Sequence, residues 1–427
     1  MPSRGNTLDY LFSLEGLGIK PGLRRIERLV ALLNRPHASY PSIIVGGTNG
    51  KGSTASMIAS ILKESGLRVG LYTSPHLTRF NERIRVDGCE ITDRELVRLV
   101  SVVRSLLTGN PASPTLAPSF FEFTTAMAFE HFRSKAVDMA VLEVGMGGRW
   151  DAVNAAVPLV SVITSVGLDH TRYLGETIKD IAFEKAGIIK AQGVCVAGVE
   201  DPRAISVIKE TARRKKAVLY LSGRDFGFSP SDGGSFDYYG DGARIGRLFV
   251  GLKGPHQFKN AACALKAIEA LKRMGCTIGN GAVRRGLKRV VWPGRFETVR
   301  KNPLVILDCA HNPEGAAALR DALGELSFRR LILVVGIMAD KDISGIFSAL
   351  LPLAHTVILT RPDYKRSATT RGLKEILIGF SGRVIIREKV KDGCKKAMEE
   401  ASEKDCVCVT GSIFTVGEAR GYFLRGL

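Results

Sequence analysis

At 427 residues the chain is long for one core, and two domains are the expectation. Apolar content of 45% with 24% charged residues suits a globular enzyme, and no apolar run approaches the roughly 20 residues a membrane helix needs. Lys and Arg number 61 against 42 acidic residues, and the resulting +19 suits acidic ligands, while no basic stripe interleaved with aromatics marks the chain as a nucleic-acid binder.

The first residues, Met1-Pro2-Ser3-Arg4-Gly5-Asn6, lack an apolar signal core, so a cytoplasmic location without a membrane partner is expected. The stretch Ser42 to Thr54 then carries the densest information. The apolar run Ile43–Val45 reads as a buried strand, Gly46-Gly47-Thr48-Asn49-Gly50 as a turn, and Lys51-Gly52-Ser53-Thr54 as a helix start. Glycines let backbone N–H groups curl around a polyphosphate, and Lys51 supplies a point charge for its terminal oxygens. The strict P-loop pattern is not met, because Val45 stands where its first glycine belongs and Gly52 where its Ser/Thr belongs. A nucleotide loop of variant type is the reading; a tight strand-to-helix turn gives the same pattern.

Further strands are expected over Arg68–Tyr72, Met139–Val144, Leu159–Thr164 and Val194–Val199, with helical periodicity over Ser53–Ser65, Thr124–Arg133 and Gln257–Arg273. Tyr72-Thr73-Ser74-Pro75-His76-Leu77 places a hydroxyl at a strand end, where Ser74 can reach a metal and compensate for the hydroxyl missing at Gly52; a Ser-Pro turn is the plainer account. Glu143 closes an apolar strand, and a carboxylate there is costly unless paired or bound to a cation. Magnesium beside a polyphosphate needs few carboxylates, whereas a structural ion pair would also serve. Asp169 and His170 follow another strand, as a structural or capping pair or in a functional role at the strand end. Lys185, in Glu184-Lys185-Ala186-Gly187-Ile188, is either a snorkelling surface residue or a buried amine.

Ser229–Gly246, rich in Gly, Ser, Asp and Tyr, reads as a hairpin insertion or a mobile surface loop. The basic runs Arg213–Lys216 and Arg284–Arg289 read as solvated helix faces. A boundary is expected near residue 297, after Trp292-Pro293-Gly294-Arg295, dividing the chain into 1–297 and 298–427. The second piece repeats strand and helix over Leu304–Leu307, Leu331–Val335, Thr356–Thr360, Val384–Ile386 and Cys406–Thr410. There Asp308-Cys309-Ala310-His311-Asn312-Pro313-Glu314 ends a strand with an acid, an imidazole and an amide, Asn312 serving as a helix cap. The eight cysteines are scattered without a C-x-x-C pair, as expected for reduced, mostly buried thiols. The fold class is therefore α/β, a large P-loop-type, mostly parallel sheet domain with helices on both faces plus a smaller Rossmann-like C-terminal domain.

Taken in order, these segments resemble the folylpolyglutamate synthase/dihydrofolate synthase family of Mur ligases. The match runs through Gly47–Ser53, Thr73–Leu77, Arg79–Ile84, Phe121–Thr124, Glu143–Arg149, Asp151–Asn154, Leu168–His170, Glu184–Lys190, Gly254–Gln257 with Asn260, Trp292–Arg295, Asp308–Gly315 and Thr410–Ser412. The resemblance implies an ATP-dependent ligase that phosphorylates a folate or dihydropteroate carboxylate and joins it to L-glutamate. It implies that Gly47, Thr48, Asn49, Gly50, Lys51, Gly52 and Ser53 hold ATP, with Asn260 on the adenine. Two magnesium ions are implied, one on Ser74 and Glu143 and the second on Glu143 and His170, with Lys185 carbamylated. Arg295, Asp308 and His311 are implied to reach the nucleotide on domain closure, in a monomeric enzyme. Trp150 and Val153 stand where the family often carries Leu and Thr, beside the expected pterin site, and Cys309 replaces a usual glycine. Two alternatives remain at this point: a Mur-type ligase acting on a cell-wall precursor, and a basic nucleotide-regulated binding protein.

Overall fold

A computed structural model describes residues 4–18, 21–110, 116–240 and 243–424. Two compact units emerge. The first takes the described residues of Met1–His76, Phe80–Gly251 and Phe258–Val290; the second takes Leu77–Arg79, Leu252–Gln257 and the described residues of Val291–Leu427.

The first unit is built on eight strands: β1 (Ser42–Gly46), β2 (Val69–Tyr72), β3 (Ile84–Val86), β4 (Cys89–Glu90), β5 (Met139–Glu143), β6 (Val160–Ile163), β7 (Val194–Ala197) and β8 (Val218–Leu221). Their order is β4-β3-β2-β5-β1-β6-β7-β8, with β3 and β4 antiparallel at one edge and the other six parallel. Every residue of β1, β2, β5 and β6 is buried, as expected where helices cover both faces. Register matters most for function. Val45 lies opposite Glu143 and Gly46 opposite Ile163, so the chain leaving β1 emerges between the ends of β5 and β6.

Helix Lys51–Glu64 follows β1 and packs against helix Asn280–Arg289. A Cβ on Gly286 would lie 2.5 Å from Ile61 Cα, so the two backbones meet without a side chain between them. Ser60 Oγ donates to Gly286 O at 2.8 Å, and Arg285 and Arg289 both pair with Glu64. Part of the second basic run is thus engaged in ion pairs with the loop-bearing helix.

The segment expected as a hairpin insertion or mobile loop forms a three-stranded antiparallel sheet, β9 (Gly227–Ser231), β10 (Ser235–Gly240) and β11 (Ala243–Leu248), with β10 in the middle. Phe236 and Tyr238 are fully buried from one face of β10, and Phe236 stacks on Phe258 with ring centroids 5.0 Å apart. Burial of these two aromatics, not glycine content, decides the structure here.

The second unit holds a six-stranded sheet of β12 (Glu297–Lys301), β13 (Leu304–Leu307), β14 (Leu331–Val335), β15 (Ala354–Leu359), β16 (Arg383–Ile386) and β17 (Cys406–Thr410). The order is β12-β13-β17-β14-β15-β16, parallel except for β12. The cysteines are all unpaired, and Cys406 and Cys408 are both fully buried in the same cluster.

Asp405 anchors the start of β17. Its side chain is fully buried and receives Arg330 at 2.7 Å, Arg329 at 3.2 Å and the Ser402 backbone N–H at 2.8 Å. The Arg330 guanidinium holds this carboxyl far below the usual carboxylate range. A depressed folded pKa stabilises above the unfolded value of about 3.9, and that stability is lost as pH falls below it. Asp405→Ala is expected to cost about 1–3 kcal/mol, discounted because both arginines can turn to water. Urea unfolding at pH 7 and at pH 3 checks this: the difference between wild type and variant should shrink at the lower pH.

Candidate nucleotide and metal site

The loop leaving β1 is clamped to the segment after β6. Thr48 N–H donates to Ser165 O at 3.0 Å, and Thr48 Oγ1 bridges Gly167 O and Gly167 N–H. Thr164 Oγ1 donates to Asn49 O at 2.6 Å, and Asn49 N–H donates to Ser165 Oγ at 2.9 Å. Two glycines are structurally required. Gly47 has φ 145°, and a Cβ there would sit 2.0 Å from Thr164 Oγ1. Gly50 has φ 83°, and a Cβ there would sit 2.2 Å from Asn260 Oδ1. Asn260 therefore lies directly against the loop.

Gly50 is the N-cap of helix Lys51–Glu64 and offers no side-chain cap, so first-turn N–H groups carry no side-chain acceptor from it. Gly52 and Ser53 are buried in that turn. Lys51 Nζ curls back onto Gly47 O at 3.1 Å and Thr48 O at 3.0 Å, which holds the ammonium over the loop. Helix-start amides without an N-cap side chain, plus a lysine, make an anion site suited to polyphosphate.

Beside it, Glu143 ends β5 and is 6% exposed. Its Oε2 accepts the Ser74 N–H at 3.1 Å, which brings the end of β2 against the end of β5. Ser74 Oγ is buried and has no hydrogen-bond partner among the described residues. A buried hydroxyl beside a buried carboxylate is costly as it stands and is the donor set a hard cation takes. These residues fit magnesium. His170 is exposed, adopts φ 53° at the start of helix Thr171–Leu174, and has Nε2 4.0 Å from Asp169 Oδ1. Among the described residues no group of three or more His, Cys, Asp or Glu is gathered for a metal.

The loop after β5 closes over the last turn of helix Ile178–Ala186. Arg149 N–H donates to Glu184 O at 2.8 Å, and a Cβ on Gly148 would lie 3.0 Å from Lys185 O. Lys185 is 3% exposed, which makes it the buried amine of the two sequence readings. Asp151 organises this loop: Oδ2 accepts the Gly145 and Met146 N–H groups at 2.9 Å and Oδ1 accepts Val153 N–H at 3.1 Å. Burial pushes its carboxyl up to about 7, against the pull of those donors and of Lys51. Asp151→Asn can accept on one side only and turns an NH2 toward a backbone donor. It should destabilise by about 1–3 kcal/mol and release the Gly145–Gly148 turn, read as a lower melting temperature and faster amide exchange there.

Sequence reading passed over Arg83 and His76. Arg83 is 7% exposed, donates Nε–H to His76 Nδ1 at 2.8 Å, and lies over the rings of Phe120 and Phe80 at 5.1 and 5.7 Å. It forms no carboxylate ion pair among the described residues. Burial and the neighbouring guanidinium pull the His76 pKa down to about 4, so the ring is neutral, with its proton on Nε2. The available signal was a second arginine between the apolar Phe80 and Ile84.

In the second unit, Asp308 Oδ2 accepts Phe296 N–H at 2.8 Å and Oδ1 accepts Ala310 N–H at 2.9 Å, so the carboxylate shapes the chain on both sides. His311 Nδ1 is 2.9 Å from Cys309 O, and a carbonyl can only accept, so Nδ1 carries the proton in that contact. Asn312 caps helix Pro313–Gly324 through Gly315 N–H at 2.8 Å. Arg295 NH1 donates to Gly294 O at 3.1 Å.

Comparison with known proteins agrees with this arrangement. The Mur ligase middle domain matches residues 45–268, and the Mur ligase glutamate ligase domain matches residues 294–413. The dihydrofolate synthase/folylpolyglutamate synthase of Bacillus subtilis is 35% identical over 420 residues, covering 94% of this chain and 95% of that one. The chain belongs to the dihydrofolate synthase/folylpolyglutamate synthase family of Mur ligases. A crystal structure of the bifunctional family member of Yersinia pestis, complexed with AMPPNP and manganese, superposes with a TM-score of 0.88 at 31% identity, covering 100% of this chain and 99% of that one. A probable bifunctional folylpolyglutamate synthase/dihydropteroate synthase of Halobacterium salinarum is 36% identical over 98% of this chain. The chain spans about half the length of that relative and of its Haloferax volcanii counterpart. No helix among the described residues is long and apolar enough to cross a membrane.

Proposed function

We propose that the chain is an ATP-dependent ligase that adds L-glutamate to dihydropteroate, to tetrahydrofolate (poly)glutamates, or to both, through an acyl phosphate. The observation that carries this is the unpartnered Ser74 hydroxyl against buried Glu143, beside a loop whose Lys51 and helix N-terminus suit ATP. Relatives of matching length bear the corresponding names, and one is complexed with a nucleotide analogue and manganese.

A carboxylate resists attack by an amine because oxide is a poor leaving group. Transfer of the γ-phosphoryl group to that carboxylate creates a better one, and the glutamate amine then displaces phosphate as the amide forms. Gly47–Ser53 and Lys51 would orient the triphosphate, and Asn260 would contact the base. Magnesium on Ser74 and Glu143, with a second ion on Glu143 and His170, would neutralise charge between the two anions. Arg83, buried without a carboxylate partner, suits the acceptor's carboxylate, and the His76 Nε2–H adds a donor beside it. A carbamate on Lys185 would convert a buried ammonium into an anion. Roles for Arg295, Asp308 and His311 in handling the nucleotide belong to the same proposal, as do a monomeric state and a cytoplasmic location.

Mass analysis of products tests the reading. With ATP, magnesium and glutamate, dihydropteroate or tetrahydrofolate should gain one glutamyl residue. Gain on a cell-wall nucleotide acceptor instead would overturn it.

A further inference from the structure

Three cations meet on the flank of the first unit, just beyond the turn that covers Lys185. Arg149 is 42% exposed at its side chain, and its guanidinium lies over the rings of Trp150 and Phe183 at 4.5 and 5.0 Å. Glu184 is 3.8 Å away, at the limit of an ion pair, and burial raises that carboxyl's pKa. Asn154 Nδ2 donates to Arg149 O at 3.0 Å, and Lys190 Nζ donates to Asn154 O at 2.7 Å. Lys215 Nζ donates to Ile189 O, one residue before Lys190.

Neither lysine has a carboxylate at ion-pair distance among the described residues; both are held by backbone carbonyls instead. Mutual repulsion adds to burial. The Lys190 pKa falls to about 8 through burial and then Lys215, and the Lys215 pKa is lowered by burial, Arg214 and Arg149. Like charges gathered with one carboxylate, at the limit of an ion pair from Arg149, raise the free energy of the empty protein and favour an anion that spans them. Asn154, 6% exposed, also keeps its Oδ1 buried with no hydrogen-bond partner at the same place.

We infer that Arg149, Lys190 and Lys215 form an anion track that receives the α-carboxylates of an oligo-γ-glutamyl tail. The inference rests on the proposed function, whose acceptor gains one carboxylate per cycle. A γ-glutamyl chain alternates carboxylate and amide N–H, so it matches cations and supplies a donor that Asn154 Oδ1 could accept. Inorganic phosphate matches the cations alone. Position supports the tail: Arg149 directly follows Gly148, which packs on Lys185, so the track begins where the candidate site ends.

Calorimetric titration of the whole chain with synthetic tetra-γ-glutamate tests the track without turnover. Wild type should bind it at least about tenfold more tightly than free glutamate, and Lys215→Gln and Lys190→Gln/Lys215→Gln should lose that margin progressively. Equal binding of tetramer and monomer, or an unchanged margin in a double variant that melts like wild type, overturns the inference. Displacement of the tetramer by equimolar phosphate would also overturn it, in favour of a phosphate site. A second arm compares acceptors. The KM for a tetra-γ-glutamyl acceptor should rise about tenfold in Lys215→Gln, while that for a mono-γ-glutamyl acceptor stays within about twofold. Wild type inert on both acceptors would sink the proposed function instead, and the binding arm would still decide the track.

Discussion

Glu143→Gln should lower ligase turnover by about 100- to 1,000-fold while the protein still folds. The argument starts from cost. Glu143 is 6% exposed at the end of a fully buried strand, and its Oε2 accepts the Ser74 N–H. Glutamine can still accept that bond through its carbonyl oxygen, so the contact between the ends of β2 and β5 survives. The charge is lost. If the charge serves the fold, the variant melts well below wild type; if it serves a cation, the variant melts at or above wild type without metal and no longer gains stability from magnesium with ADP. Thermal melts with and without magnesium, alongside initial rates, separate the two. Turnover within about threefold of wild type would remove Glu143 from the metal site.

Gly47→Ala should weaken nucleotide binding by about 100-fold or more and destabilise the first unit by about 2–4 kcal/mol. Backbone and packing both forbid a side chain there. The φ of 145° is one L-residues rarely adopt, and the added Cβ would stand 2.0 Å from Thr164 Oγ1 and 3.1 Å from the backbone nitrogens of Thr164 and Ser165. Thr164 cannot swing aside cheaply, since its hydroxyl ties Gly46 O and Asn49 O and it is 2% exposed. The turn must therefore open, which displaces the Thr48 and Asn49 amides and loosens the carbonyls that hold Lys51. Calorimetry with ADP and a urea melt report the two effects. Near-normal affinity in a folded variant would show that the turn is not the nucleotide loop.

The strand-to-helix alternation was legible because β1, β2, β5 and β6 are short continuous apolar runs, the form that parallel strands covered on both faces must take. The loop at Gly47–Ser53 and the acids at strand ends were legible for the same reason: polar residues interrupting such runs stand out. What escaped has a common cause. Arg83 and His76 are functional candidates only because Phe80, Phe120 and each other surround them, and that burial is long-range. Asp151 looked like one residue of a matching stretch, yet it fixes a turn by accepting three backbone N–H groups. For Ser229–Gly246 the hairpin alternative is the one the structure takes, within a three-stranded sheet; its glycines kept the mobile-loop alternative open, and Phe236 and Tyr238 were the signal to weigh. The Arg149, Lys190 and Lys215 cluster draws on three separated segments, so no local pattern announces it.

One experiment tests the central claim that a carboxylate is activated by phosphorylation at this site. Dihydropteroate, or a folate acceptor, is prepared with heavy oxygen in its reacting carboxylate and turned over with ATP, magnesium and glutamate. Recovery of one heavy oxygen in the released phosphate, in step with amide formation, is the predicted result. Amide formation with unlabelled phosphate would contradict the acyl-phosphate route, and phosphate release without amide would contradict the ligase itself.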